Sequence, residues 1–546
     1  MSSQYKFSVT LLVGILVLNG CAPLNKQASQ PALHPHCAAT IAPNLPIGHH
    51  AIIAHSDGEP QEPVNDHGVV SLKPGRMQTQ PNHDGQETEY DSYLRAMIAD
   101  LKAHAPPGKD GKRHILVFIH GGMNEKQGAL ARSARLSSCP ELTNEYYPIF
   151  IDWNSAPLST YWEHLVWVRQ GQHEKFIGPI TAPFYLLADI ARGVTRAPGV
   201  WAQMINYQLQ GPESPAKEKS HDRMRVALSH EAVKYQQKIE GGPEVTQKAA
   251  RDLSPETPGM KAESLVHTMF YPAKMVTSTL IDTIGTGAWD MMVRRSEELF
   301  NAPTRWHLLK PEQRQELERY WQKYNRREPL SDYELKRISQ IESSYLARSR
   351  QGAVELFLRE LAKELGPEKH RYSIILVGHS MGAIISCEMV RRHPELPFDD
   401  IVFLAAACTV KQCEDTVIPY LRTNRQAQFY NVTLHPYADI RESTSDTLGP
   451  ACVLVPRGSL LEWLDAFFTN PSTREDRMLG KWRNAITSPG IFPPDVARQV
   501  HLKMFAYGDN SVPQRHGAFA SEKLATRFWM KDFRDPNKPL YTDSLR

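Results

Sequence analysis

Gly378, His379, Ser380, Met381 and Gly382 form a G-x-S-x-G pentapeptide between an apolar run, Ser373 to Val377 (SIILV), and a helical stretch reading AIISCEMVRR. A strand that turns sharply into a helix, with glycines two residues before and after the serine, lets the backbone take a strained conformation. That conformation exposes the Ser380 hydroxyl at the carboxyl edge of a sheet. The unpaired N–H groups of the helix's first turn point at the same place. The chemistry on offer is nucleophilic: a serine oxygen attacks an electrophilic carbon once a base removes its proton. Two further features bear on it. Upstream, the run His114 to His120 (HILVFIH) ends in Gly121, Gly122, Met123 and Asn124. Downstream, AYGDNSVPQRHGAFA places His516 in a loop after the run Val500 to Phe505, with Gly517 expected to let that loop approach the nucleophile closely. His501 lies inside the run, where it would be held away from the carboxyl end, so His516 is the candidate base.

These residues need a sheet to position them. Nearly continuous apolar runs fit strands of a parallel sheet buried on both faces. The chain has them at His114 to His120, Tyr147 to Trp153, Ser373 to Val377, Ile401 to Ala406, Gln428 to Leu434 and Val500 to Phe505, with shorter candidates at His50 to His55 and Gly68 to Leu72. Helical spacing appears between most of them, as in Tyr90 to Leu101, Lys126 to Leu136, Met381 to Arg392 and Leu460 to Phe468. Strands alternating with helices predict a mostly parallel α/β sheet with flanking helices. One stretch breaks the alternation. From residue 156 to 343 there is no convincing strand but several amphipathic segments, among them Tyr161 to Trp167, Phe184 to Ile190 and Met275 to Phe300. A segment this long needs structure of its own and reads as a helical cap, whose Trp162, Trp167, Phe176, Phe184 and Trp201 either line an acyl pocket or form the cap's own core. The organisation is therefore a core in two parts, 48–155 and 344–546, with a helix beginning near Ser344, separated by the insertion at 156–343.

With GHSMG downstream of an HGG turn, the chain resembles the α/β-hydrolase superfamily over most of residues 48 to 156 and 344 to 535. The resemblance implies an oxyanion hole built from the N–H of Met381 and one from Gly122 or Met123. It also implies the chain order serine, acid, histidine. The acid of such proteins follows a strand closely, and here the strand QFYNVTL is followed by HPYADIRESTSD. Asp439 is the first candidate, Glu442 and Asp446 are alternatives, and Asp415 is a remoter one. A Ser380, His516 and Asp439 triad would work by an acyl-enzyme, the carboxylate orienting the imidazole without taking its proton. It calls for no metal or organic cofactor.

The N-terminus reads as an address. A polar Met1 to Lys6 precedes an apolar run of about twelve residues, Phe7 to Leu18, the layout of a secretory signal and too short for a spanning helix. Leu18, Asn19, Gly20, Cys21 resembles the lipobox of bacterial lipoproteins. This implies a signal peptide over 1–20, an acylated Cys21 and a flexible tether over 21–47. Ala22 after the cysteine favours the outer membrane of the cell envelope. Six other cysteines remain, Cys37, Cys139, Cys387, Cys408, Cys413 and Cys452, which an exported chain could oxidise. Cys408 and Cys413 are the expected local pair.

Composition narrows the field. In 546 residues, 41% hydrophobic and 23% charged, there is ample material for a core, and disorder throughout is excluded. Lys and Arg number 63 against 60 Asp and Glu, too balanced for a nucleic-acid binder. Forty prolines and 32 glycines disfavour a coiled coil or solenoid. The expected partners are an acyl-ester substrate, lipid among the options, and a membrane reached through Cys21. An acyltransferase using the same triad and a non-catalytic envelope scaffold on the same fold are the competing classes.

Overall fold

The computed structural model describes residues 41–79, 87–122, 124–169, 172–173, 177–210, 271–301, 311–325, 351–442, 458–469, 473–487, 492–505, 513–520 and 528–534, with a few isolated positions near 331–337 and at 471. The signal, residues 21–40 of the expected tether with Cys21 and Cys37, and Cys452, Met123, Phe176 and Asp446 lie outside the described residues, whereas residues 41–47 are described and Asn65 Nδ2 donates to the carbonyls of Ala42 and Leu45.

The described residues include twelve strands: β1 (Ala51–Ala54), β2 (Pro60–Gln61), β3 (Pro63–Asp66), β4 (Val69–Leu72), β5 (Arg113–Ile119), β6 (Tyr147–Trp153), β7 (Val168–Arg169), β8 (Gln172–His173), β9 (Tyr372–His379), β10 (Phe398–Leu404), β11 (Gln428–Thr433) and β12 (Val500–Met504). Eight form the central sheet in the order β12-β11-β10-β9-β5-β6-β1-β2. All its neighbours run parallel except the edge pair β1 and β2. β5, β6 and β9 occupy the centre, and their near-continuous apolar sequence follows from burial on both faces.

The principal helices are α1 (Glu89–His104), α2 (Lys126–Ser137), α3 (Pro157–Val166), α4 (Ile177–Gln210), α5 (Tyr271–Glu298), α6 (Pro311–Asn325), α7 (Ala353–Leu365), α8 (Gly382–Arg392), α9 (Val410–Thr423) and α10 (Pro436–Arg441). The apolar stripe predicted for α1, Tyr90, Leu94, Met97, Ile98 and Leu101, is the face it buries. A capping box at Thr88 and Asp91 starts that helix. Ser344, near which a helix is expected to begin, lies outside the described residues; α7 begins at Ala353, with Gly352 at its N-cap. An added Cβ on Gly352 would fall 2.2 Å from the Leu299 carbonyl oxygen, so α7 starts where the end of α5 crosses it.

The described residues of the 156–343 stretch are mostly helical, apart from the short β7–β8 hairpin, turn residues and a bridge from Asn301 to Gln351. Helices α3, α4 and α5 pack on one another, tied by a buried Glu163–Arg295 ion pair between α3 and α5. The aromatic residues divide. Trp162 and Trp201 pack against the core, whereas Trp167 and Phe184 are exposed, so Phe184 lines no interior pocket.

The expected Cys408–Cys413 pair is not formed. Both are free thiols, as is Cys387, and all three are buried. Cys408 faces Cys387 of α8, to which it hydrogen-bonds. Cys139 is disulfide-bonded, and its partner lies outside the described residues.

Candidate active site

The register of the central strands brings the two glycine-containing turns together. β5 pairs with β9 so that Ile119 lies opposite Gly378. Two residues further along each strand, Gly121 therefore meets Ser380. A Cβ built on Gly121 would sit 2.7 Å from the Ser380 Cβ and 2.9 Å from His379 Nδ1. Only a glycine allows that approach.

Ser380 has φ of 52°, the left-handed region that L-residues other than glycine seldom adopt. The turn is held by three hydrogen bonds: the Ser380 amide donates to the Leu404 carbonyl (2.9 Å), and the Ser380 carbonyl accepts from the amides of Ala407 (2.9 Å) and Ala383 (3.1 Å). The flanking glycines serve packing. A Cβ on Gly378 would meet the Ala383 backbone at 2.8 Å, and one on Gly382 would meet the Ile119 carbonyl at 2.3 Å. They let α8 seat directly on β9 and β5, which points the start of α8 at Ser380.

His516 begins a short 3₁₀ turn after β12. Its Nε2 lies 2.8 Å from Ser380 Oγ. Its amide donates to the Glu442 carboxylate at 2.7 Å, and its carbonyl accepts from His379 Nε2 at 3.2 Å. Phe519, three residues on, is buried against Phe505 and anchors the turn. Burial, reinforced by the neighbouring His379, holds the His516 imidazole well below the usual histidine range. It is therefore neutral at neutral pH and able to accept the Ser380 proton. Gly517 has open space around an added Cβ, so the loop's approach does not depend on that glycine.

Behind the Gly121 turn lies a polar network that sequence reading did not assign. Asn124 Nδ2 donates to the carbonyls of Gly121 (2.9 Å) and Gly122 (3.0 Å), and Arg132 of α2 donates to Asn124 Oδ1 at 2.8 Å. His120 Nδ1 donates to the Gly121 carbonyl at 2.7 Å while its Nε2 accepts the Trp153 amide at 3.1 Å. Burial, with Arg132 nearby, lowers His120 to about 3, which keeps this tautomer neutral. Asp152 accepts from the Ser133 hydroxyl, and burial raises its carboxyl to about 7. In a trans peptide the N–H points opposite to the C=O. With the Gly121 carbonyl turned back to Asn124 and His120, the Gly122 N–H points away from them. Neither that amide nor the Met381 amide donates to any group among the described residues.

Asp439 lies on α10, directly after β11, and is fully buried. The Ser459 hydroxyl bonds to its carboxylate; burial and the adjacent Glu462 raise it well above the usual carboxylate range. Among the described residues its Oδ1 has no hydrogen-bond partner, neither has His516 Nδ1, and no hydrogen bond or ion pair joins the two. Of the alternatives, Glu442 holds the His516 main chain, and Asp415 lies on exposed α9 surface paired with Lys411. The insertion reaches the site as well. Met292 of α5 comes within 3.5 Å of where a Gly122 Cβ would sit, and Ser380 retains only 1% of its exposure.

A mostly parallel sheet flanked by helices, with a serine at a strained strand-to-helix turn, is the α/β-hydrolase fold. The family model for serine aminopeptidase, S33 (Hydrolase_4) matches residues 354–446, which hold the nucleophile turn and α10. No curated protein and no solved structure matches the chain.

Proposed function

We propose that the protein is a serine hydrolase that cleaves carboxylic esters, lipid or other acyl esters, through Ser380, His516 and Asp439. The observation that carries this reading is the 2.8 Å contact between Ser380 Oγ and a neutral His516 at a strained turn facing unoccupied backbone amides. His516 Nε2 takes the hydroxyl proton as Oγ bonds to the acyl carbon. The carbonyl oxygen becomes an oxyanion held by the amides of Met381 and of Gly122 or Met123. The imidazolium returns the proton to the leaving alkoxide, and the acyl-enzyme remains. Water then attacks by the same route, with His516 as base, and the acid is released. Asp439 supports the imidazolium through Nδ1. Export and acylation at Cys21 would place this chemistry at the bacterial envelope.

The family-model match to a serine aminopeptidase favours amide substrates as a second reading. The two separate on a panel of acyl esters of graded length set against aminoacyl anilides with a free α-amino group. The nucleophile itself is tested by a fluorophosphonate probe. Wild type should be labelled and Ser380→Ala should not, with the fold retained by circular dichroism. Equal labelling of the variant removes the proposal.

A further inference from the structure

Helix α4 carries its polarity the wrong way round for a surface helix in water. Between Pro179 and Ala202, a length of about 35 Å at 1.5 Å per residue, no exposed residue is charged. Ile180, Phe184, Leu187 and Val194 recur on the outer face with exposures of 74%, 70%, 63% and 61%. The three charged residues of this stretch turn inward instead. Asp189 accepts from His164 (3.0 Å) and Tyr161 (3.2 Å) of α3. Arg192 donates to Asp189 and to the Thr283 carbonyl, and Arg196 reaches Asp282 and Thr286 of α5 and the Phe467 carbonyl. These bonds fix the rotation of the helix, so its apolar face cannot roll inward without breaking them.

We propose that this face of α4 lies in the interfacial zone of a lipid bilayer, with its axis along the membrane plane. Three arguments select lipid over a protein occupant. An apolar strip about 35 Å long and roughly one helix diameter wide gives a two-copy contact of roughly 700 Å², below the ~1,200 Å² of a stable interface. A protein contact is normally bordered by a polar rim, and on α4 the two arginines, Arg192 and Arg196, keep only 33% and 24% of their side-chain exposure while the outermost residues are apolar. Lipid at the acyl boundary requires neither. No helix among the described residues is long and apolar enough to cross a membrane, which leaves α4 the interfacial mode. If Cys21 is acylated, the 20 residues from there to Ile41 extend at most ~70 Å, so the bilayer is always within reach. The proposal does not rest on the catalytic reading.

The test uses the full chain with an environment-sensitive fluorescent amino acid at position 187, or at exposed Arg371 as control, mixed with phosphatidylcholine vesicles containing brominated acyl chains. Position 187 should shift to the blue and be quenched, position 371 should not, and the signal should persist at 0.5 M salt (order of magnitude, many times screening strength), because the face has no charge to screen. Ile180→Glu with Phe184→Glu should lower the quenched fraction at 187 about tenfold or more, since one buried Leu or Phe is worth roughly a factor of ten. Both substitutions sit on exposed positions, and an unchanged thermal midpoint shows the fold is kept. A water-like, unquenched signal at 187 on vesicles overturns the proposal. So does a blue shift at 187 without vesicles that grows with protein concentration, which identifies a second copy as the occupant.

Discussion

Gly121→Ala tests the geometry at its tightest point. The added methyl would lie 2.7 Å from the Ser380 Cβ and 2.9 Å from His379 Nδ1, where carbon atoms rest at about 3.5–4.0 Å. Relief therefore needs a displacement of about 1 Å. Ser380 cannot supply it, because its left-handed backbone is fixed by Leu404, Ala407 and Ala383. His379 is buried and bonded to the His516 carbonyl. The Gly121 turn must move instead, and with it the Gly122 amide. A misplacement of that size costs roughly 10²-fold in rate, and removing one oxyanion donor about 10² to 10³. Overpacking should reduce stability by about 1–3 kcal/mol, which a large core can absorb. The expected outcome is a folded protein whose fluorophosphonate labelling and ester kcat/KM both fall by about two orders of magnitude, with the loss in kcat. Labelling within twofold of wild type would falsify the placement of the turn against the nucleophile, and the oxyanion assignment with it.

Asp439→Asn should lower kcat by about 10³- to 10⁴-fold with KM little changed, by analogy with loss of the orienting acid in other triads. Asp446→Asn and Glu442→Gln should stay within tenfold, and a reversal of that ranking moves the acid. Stability should fall in acid. His120 and His379 have folded values of about 3 and about 4 against an ordinary 6.5. The unfolded chain thus binds more protons below pH 6.5, and the stability present above it is lost as pH falls toward those values. Each histidine contributes up to about 1.4 kcal/mol per pH unit in that window. Asp152, raised to about 7, acts in the opposite sense between 3.8 and 7, so Asp152→Asn should steepen the acid loss in urea midpoints between pH 7 and 4.5 (approximate assay window). Cys21→Ser should release the protein from the envelope fraction, whereas unchanged fractionation with an uncleaved N-terminus would make residues 7 to 18 a plain anchor.

The parts of the molecule legible from sequence are those where one physical demand acts alone. A strand buried on both faces must be apolar throughout, so Tyr147–Trp153 was delimited to the residue and β5, β9, β11 and β12 to within one or two. The turn carrying Ser380 and the loop carrying His516 were legible because strand, tight turn and loop are local features. What failed depended on tertiary approach. The β3 partner of Val69–Leu72 reads PVND, with a proline and an aspartate that hide its strand character. Arg132 supports the Gly121 turn from eight residues beyond Asn124, and helical spacing does not say which turn of α2 faces it. Hydrophobic periodicity in the insertion marked a helix but not its rotation. An amphipathic helix has the same pattern whether its apolar side faces a core or a bilayer, which is why Phe184 could be read as pocket lining and is found outside. The thiols of Cys408 and Cys413, five apart, looked pairable by distance along the chain, yet Cys408 turns to Cys387 on the neighbouring helix.

The two sides of the site differ in how firmly they are built, and the difference bears on the acid. Around Ser380 the backbone is braced from three strands. Leu404 at the end of β10 accepts its amide, Ala405 beside it also takes a positive φ of 43°, and the Ala405 amide is bound by Val432 of β11. Gly480 presses on that bend so closely that an added Cβ would fall 2.1 Å from the Ala406 nitrogen. The strain of the serine turn is thus distributed over neighbours that cannot relax independently. On the far side of His516 the polar accounting is incomplete. His516 Nδ1 and Asp439 Oδ1 are both buried and both without a partner among the described residues, and an unsatisfied buried polar atom costs about 1–3 kcal/mol. No hydrogen bond or ion pair joins the two among the described residues, so engagement of Asp439 by His516 would require them to approach. Glu442, nearly one helical turn after Asp439, already holds the His516 amide, so the two segments are joined at that point. Glu442 is committed to the main chain of the loop and Asp439 is not. Of Asp439 and Glu442, Asp439 is the one with a buried acceptor to spare, and in the proposed mechanism the imidazolium formed at His516 would favour its ionised form despite burial.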